Sequence, residues 1–221
     1  MSDFATARQK MVDGQVRTSD VTDARILDAM LAIPREMFVP ENKRALAYLD
    51  LDLDVSEAGA AKRYLIKPAV LAKMLQAAEI KASDRVLVVG CATGYAAAVI
   101  CRYAGEVFAT EADPVLVEKA TAALGAAGCG NIRLRAAAAA EGDPANAPFD
   151  VIVLHGATEI PPKQLHEQIR DGGRLVGVFA TERPSRAMIV TRAHGDVGYR
   201  VLFDAAAPVL PGLERVPEFV F

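Results

Sequence analysis

The chain has no tryptophan, and only three cysteines and three histidines among its 221 residues. Cys91, Cys101 and Cys129 are odd in number and lack metal-ligand spacing, so free thiols in a reducing, cytoplasmic setting are expected. No run of about 18 apolar residues escapes interruption by charge, so no membrane span is expected. The stretch Met1 to Gln9 carries Asp3 and Arg8 and lacks the apolar core of a signal peptide. An excess of basic charge is missing too. Lys and Arg number 25 against 28 Asp and Glu, for a net charge of −3. The basic residues are dispersed, which excludes the electrostatic footprint of a nucleic-acid binder. No grouping of His, Cys and Asp has metal spacing.

What is present is the balance of a globular chain with a sizeable core: 52% hydrophobic and 24% charged. The length suits one structural domain, divided here into an N-terminal helical and loop appendage, 1–66, and a core, 67–221. In the appendage, Ser19 or Asp20 is placed to cap a helix with Ile26, Met30 and Ile33 on one face. Residues 51–64 have no clear period and read as an irregular loop or short hairpin. From Pro68 onward helices and strands alternate. Pro68 opens a helix to Glu79, and Val86-Leu87-Val88-Val89 is the continuous apolar run of a buried parallel strand. A helix from Tyr95 to Tyr103, a strand over 106–111 and a helix opened by Asp113-Pro114 follow. Further strands are expected over 131–135, 149–154 and 174–179, with a helix over 162–170. Two closing strands, 187–192 and 199–203, join through His194-Gly195-Asp196. The coarse result is an α/β fold whose mostly parallel sheet ends in an antiparallel hairpin.

The turn Gly90-Cys91-Ala92-Thr93-Gly94 ends one strand and opens a helix, which creates a notch where a ligand can approach the backbone. Glu111 ends the next strand about 20 residues on, where a carboxylate can accept bonds from both hydroxyls of a ribose. A solvated strand-end glutamate is the plainer alternative. A dinucleotide fingerprint needs glycine at three positions that here read Gly90, Ala92 and Tyr95, so two of the three fail. A P-loop is excluded because no Gly-Lys-Ser/Thr occurs. The spacing suits S-adenosylmethionine better, because that ligand has no pyrophosphate to cradle and a methyl group at Ala92 is less obstructive.

Ordered segments resemble protein-L-isoaspartate O-methyltransferases. They are Pro34 to Pro40, Ala47-Tyr48-Leu49-Asp50, Val86 to Val99, Ala147 to Val153, and Ile160-Pro161 through Gln168 with Asp171 to Val176. The resemblance implies a Rossmann-like methyltransferase fold and S-adenosylmethionine as cofactor. It implies cofactor-binding roles for Gly90, Gly94, Tyr95 and Glu111, with Cys91 and Ala92 presenting backbone, and a damaged protein or peptide as acceptor. Three positions depart from the family pattern. Its serine near the accepting carboxylate is Ile66 here. Its Gly-Asp-Gly beside the adenine falls on Ala137-Ala138-Ala139, leaving Ala138 where the acid belongs. Its second turn glycine is Ala92, which is tolerable where φ is negative.

His155 follows a core strand at its carboxyl end and is the candidate general base, with a structural strand-end histidine as the alternative. Lys62, Arg63 and Lys67 form a basic cluster that could attract an anion or simply be solvated. Cys91 at a helix start could be a lowered-pKa thiol. His166 and His194 read as surface residues. The sequence thus points to a cytoplasmic S-adenosylmethionine-dependent methyltransferase with an altered acceptor, monomer favoured. The alternative is a non-catalytic cofactor- or partner-binding protein on the same fold. A weaker one is transfer to a hydroxyl or amine through His155.

Overall fold

The computed structural model describes residues 3–216, so residues 1–2 and 217–221 of the two expected segments lie outside the described residues. The appendage begins with helix α1 (Phe4–Met11), continues in tighter and wider turns to Ser19, and reaches α2 (Ala24–Ala32). Asp23, not Ser19 or Asp20, caps α2, accepting from the Arg25 amide. Asp20 instead takes a left-handed conformation that ends the preceding turn. The stretch without a period supplies two short antiparallel strands, β1 (Leu53–Asp54) and β2 (Tyr64–Leu65).

The core alternates as expected: α3 (Pro68–Ala78), β3 (Arg85–Val89), α4 (Tyr95–Ile100), β4 (Glu106–Glu111), α5 (Pro114–Ala126) and β5 (Ile132–Ala136). It continues through β6 (Phe149–Thr158), α6 (Lys163–Glu167), β7 (Ile169–Phe179), β8 (Arg186–Ala193) and β9 (Asp196–Asp204). The seven-stranded sheet runs β5-β4-β3-β6-β7-β8-β9. Its first five strands pair in parallel, and β8 and β9 close it antiparallel. The expected helix over 162–170 is shorter, because β7 starts at Ile169 and takes in Gly172 and Gly173 through a register shift opposite β6. His194 and Gly195, with φ of 54° and 89°, make the tight turn of the last hairpin.

Alternation along β3 explains the layers. Val86 and Val88 join one apolar cluster with Met11, Val16, Ile26, Met30, Leu71 and Tyr95, so the appendage shares its core with the sheet. Leu87 and Val89 face a second cluster with Phe108, Phe149, Leu165, Leu210 and Leu213. The chain leaves β3 toward β4 on one side and returns to β6 on the other. The crevice at the carboxyl ends of β3 and β6 is therefore the point where strand order reverses, the usual ligand site of open α/β sheets.

One segment after the sheet alters that crevice. The Ala157 amide donates to Pro208 O at 2.8 Å, and the Leu210 amide donates to Ala157 O at 2.9 Å. Ala157 also pairs with Val178 of β7, so residues 208–210 lie on its other side, in line with the end of β3. They continue the sheet where β3 has stopped.

Asp113 accepts from the Val115 and Leu116 amides ahead of Pro114, satisfying donors that α5 cannot. Asp113→Ala is expected to lower folding stability by about 1 kcal/mol in urea unfolding. An unchanged midpoint would show that this cap does not matter to α5.

Candidate functional site

The notch expected from the sequence is formed by backbone geometry. Gly90 and Gly94 adopt φ of 67° and 98°, and the Cys91 amide donates across to Thr110 O at 2.9 Å, tying the turn to β4. Ala92 departs from expectation: its φ is 52°, the left-handed region that disfavours a side chain. The Ala92 amide donates to Glu111 Oε2 at 2.7 Å, and this charge-assisted bond holds the residue there.

Glu111 is fully buried and has no capacity left over. Its Oε1 accepts from the amides of Ala112 and Asp113 at 2.9 and 3.2 Å. Both oxygens also accept from Arg63, with Nε at 3.0 and 3.2 Å and Nη2 at 2.7 Å from Oε2. Arg63 Nη2 donates as well to Gly90 O at 2.7 Å. Arg63 is 4% exposed and Glu111 0%. A carboxylate offers about four lone-pair sites, and here three amides and a forked guanidinium use them. Glu111 is therefore no solvated strand-end glutamate, but one partner of a buried ion pair.

Arg63 belongs to the basic cluster seen in the sequence, which the fold splits up. Lys62 stays exposed and pairs with Asp54 at 2.7 Å, while Arg63 turns inward. The cleft's second occupant, Leu210, had no signal in the sequence. A Cβ built on Gly90 would lie 2.7 Å from Leu210 Cδ2 and 2.8 Å from Arg63 Nη2. One built on Gly156 would lie 2.8 Å from Leu210 Cδ2 and 2.9 Å from Pro208 O. The side-chain ends of Leu210 and Arg63 therefore stand directly over Gly90.

The other candidates separate. Cys91 is fully buried, and burial, then the charge of Glu111, pushes its thiol pKa up, the reverse of a reactive thiol. The Tyr95 ring turns into the core under the Arg35 guanidinium, 4.5 Å from its carbon, and meets Phe38 edge-on at 5.7 Å. Only its backbone belongs to the notch. Ala138 is exposed in a turn closed by the Glu141 and Gly142 amides bonding to its carbonyl. Ile66 is 1% exposed and joins the appendage core, and its carbonyl accepts from Arg35 Nη2 at 2.9 Å. His166 is a correction. It is 8% exposed and meets Tyr199 edge-on, because β9 folds back over α6. His194 is exposed as expected.

His155 lies in the crevice, 1% exposed, and neither ring nitrogen has a hydrogen-bond partner among the described residues. Burial, then the positive charges of Arg63 and Arg35, depress its pKa to about 3. Burial and the nearby positive charges thus favour the neutral imidazole. No cluster of three or more His, Cys, Asp or Glu able to hold a metal occurs among the described residues. No helix among them is long and apolar enough to cross a membrane.

A parallel sheet with a glycine turn after its first central strand, an acid ending the next and a closing antiparallel hairpin defines a Rossmann-like, class I methyltransferase fold. Residues 6–203 match the sequence profile of protein-L-isoaspartate(D-aspartate) O-methyltransferase. The chain is 38% identical over 194 residues to protein-L-isoaspartate O-methyltransferase 1 of Rhodopseudomonas palustris strain HaA2, covering 87% of this chain and 78% of that protein. It is also 38% identical to the protein-L-isoaspartate O-methyltransferase of Roseiflexus sp. strain RS-1, covering 88% and 86%. A solved protein-L-isoaspartate O-methyltransferase superposes with a TM-score of 0.83 at 24% identity, covering 94% of this chain and 67% of that one. A Plasmodium falciparum structure described as a putative protein-L-isoaspartate O-methyltransferase in complex with S-adenosyl-L-homocysteine gives 0.76 at 16% identity, covering 92% and 97%. The chain belongs to the protein-L-isoaspartate O-methyltransferase family, whose members are S-adenosylmethionine-dependent methyltransferases.

Against that family, the residues present do not fit the cofactor as they are arranged. Gly90 and Gly156 face Leu210 instead of open space, and Glu111 is spoken for by Arg63.

His155 makes stability depend on pH. The unfolded chain takes up a proton on this residue below about pH 6.5, whereas the folded chain resists until about pH 3. Stability is therefore lost as pH falls through that window, by about 1.4 kcal/mol per unit. Between pH 7 and pH 5 the wild type is expected to lose about 2 kcal/mol more than His155→Leu, measured by urea unfolding at both values. Parallel losses would mean that the histidine is protonated in the folded protein.

Proposed function

We propose that this chain is an S-adenosylmethionine-dependent methyltransferase of the isoaspartyl type whose acceptor is a protein or peptide group other than the isoaspartyl carboxylate. The observation that carries the reading is the strand, turn and helix of Val86 to Ile100 at the switch point. There Glu111 is bonded to the Ala92 amide, in a chain of this family. The protein's part in such a transfer is to position the acceptor in line with the methyl group.

The altered acceptor is supported by Ile66. Where the family carries a serine hydroxyl, this chain buries a branched apolar side chain in the appendage core. A substrate carboxylate brought there would lack one donor, worth about 1–3 kcal/mol when the site is dry. A cytoplasmic location belongs to the same proposal and is supported by three free cysteines. Loading of the cofactor would require Arg63 and Leu210 to leave the crevice.

Ile66→Ser is expected to raise kcat/KM for an isoaspartyl peptide about tenfold over the wild type, read as radiolabelled methyl incorporation. Wild-type turnover equal to the variant's would contradict the altered acceptor. Transfer by neither, with no cofactor bound, would favour a non-catalytic binding protein.

A further inference from the structure

We infer that the Arg63 side chain and residues 208–210 occupy the place of the adenosyl cofactor, so that the cofactor and these two elements compete for one site. The inference rests on the reading that the crevice is the family's cofactor site. It adds that the chain itself is the resident ligand there.

Three independent observations carry it. The first is chemical mimicry at Glu111. A ribose presents two neighbouring hydroxyl donors to a strand-end carboxylate, and Arg63 presents two neighbouring N–H donors to the same oxygens at 2.7–3.2 Å. The guanidinium makes the stronger set, because its bonds are charge-assisted and forked. The second is volume. Leu210, itself 1% exposed, takes the space over Gly90 and Gly156 down to 2.7–2.8 Å from where a first carbon would stand. The third is that the plug is anchored by backbone. Pro208 O accepts from the Ala157 amide, the Leu210 amide donates to Ala157 O, and Leu213 O accepts from the Glu159 amide at 2.9 Å. Leu210 cannot vacate the crevice by more than a rotamer change without lifting that strip from β6.

Electrostatics add to the competition. Among the described residues Glu111 is the one acid bonded to Arg63. An incoming nucleoside must replace an ion pair with neutral hydroxyls and send a guanidinium back to water.

The test is calorimetric titration with S-adenosyl-L-homocysteine of the wild type, Arg63→Gln, Leu210→Ala and the double variant, each first shown to unfold cooperatively. The expected result is a wild-type Kd weaker than about 1 mM, a gain of about tenfold in either variant and a larger gain in the double. Leu210→Ala leaves the ion pair intact, so the result does not hang on whether Arg63→Gln folds. A complementary readout uses the wild type alone. Amide hydrogen exchange at 208–213 should accelerate as the ligand saturates, because the strip must lift. Micromolar binding by the wild type, with no gain in the variants and no change in exchange, would overturn the competition while leaving the crevice a cofactor site. No binding by any of the four folded proteins would overturn the cofactor site itself, and the competition with it.

Discussion

The ion pair between Arg63 and Glu111 holds the centre of this molecule in its shape. Glu111 ends β4, the Ala92 amide leans on it, and Arg63 bridges it to the Gly90 carbonyl. Three parts of the chain, the strand β2 approach, the glycine turn and β4, are joined through one carboxylate. Burying two charges carries a large desolvation cost, offset only when geometry is good and the remaining lone pairs are satisfied. Both conditions hold here, since three amides complete the carboxylate's shell. Taking Arg63 away would leave a buried, unpaired charge, which in general costs about 3–5 kcal/mol.

From that pair the rest of the site follows. Arg63 Nη2 bonds to the Gly90 carbonyl, and with Leu210 it fills the space above Gly90. Because it is buried, with the positive charges of Arg63 and Arg35 beside it, His155 is held toward the neutral form. Because Glu111 fixes Ala92 in a left-handed conformation, the turn keeps its notch without the glycine that would adopt it freely. The family architecture is retained, and Arg63 and Leu210 stand over its glycine turn.

How much of this the sequence disclosed depends on how local the determinant was. Val86 to Val89, the Gly90 and Gly94 turn and the Asp113-Pro114 cap each declare themselves within a few residues, and each is where it was expected. Asp23 displaced Ser19 and Asp20 as the cap of α2 because the preceding turns run on to Ser19 and use Asp20 to stop. His166 reads as a surface residue because nothing in its neighbourhood shows that β9 covers it. Arg63 stood in a charge run between Lys62 and Lys67, with its partner 48 residues away, so its burial had no local mark. Leu210 is a common residue in a stretch without regular structure. Only the hydrogen bonds of residues 208–210 to Ala157 bring it over Gly90.

A crystal structure of the wild type grown with millimolar S-adenosyl-L-homocysteine tests the central claim most directly. The account predicts that wherever adenosyl density covers Gly90, Arg63 has left Glu111 and Leu210 has moved from the crevice. An adenosine seated against Glu111 beside an intact Arg63 ion pair would contradict it.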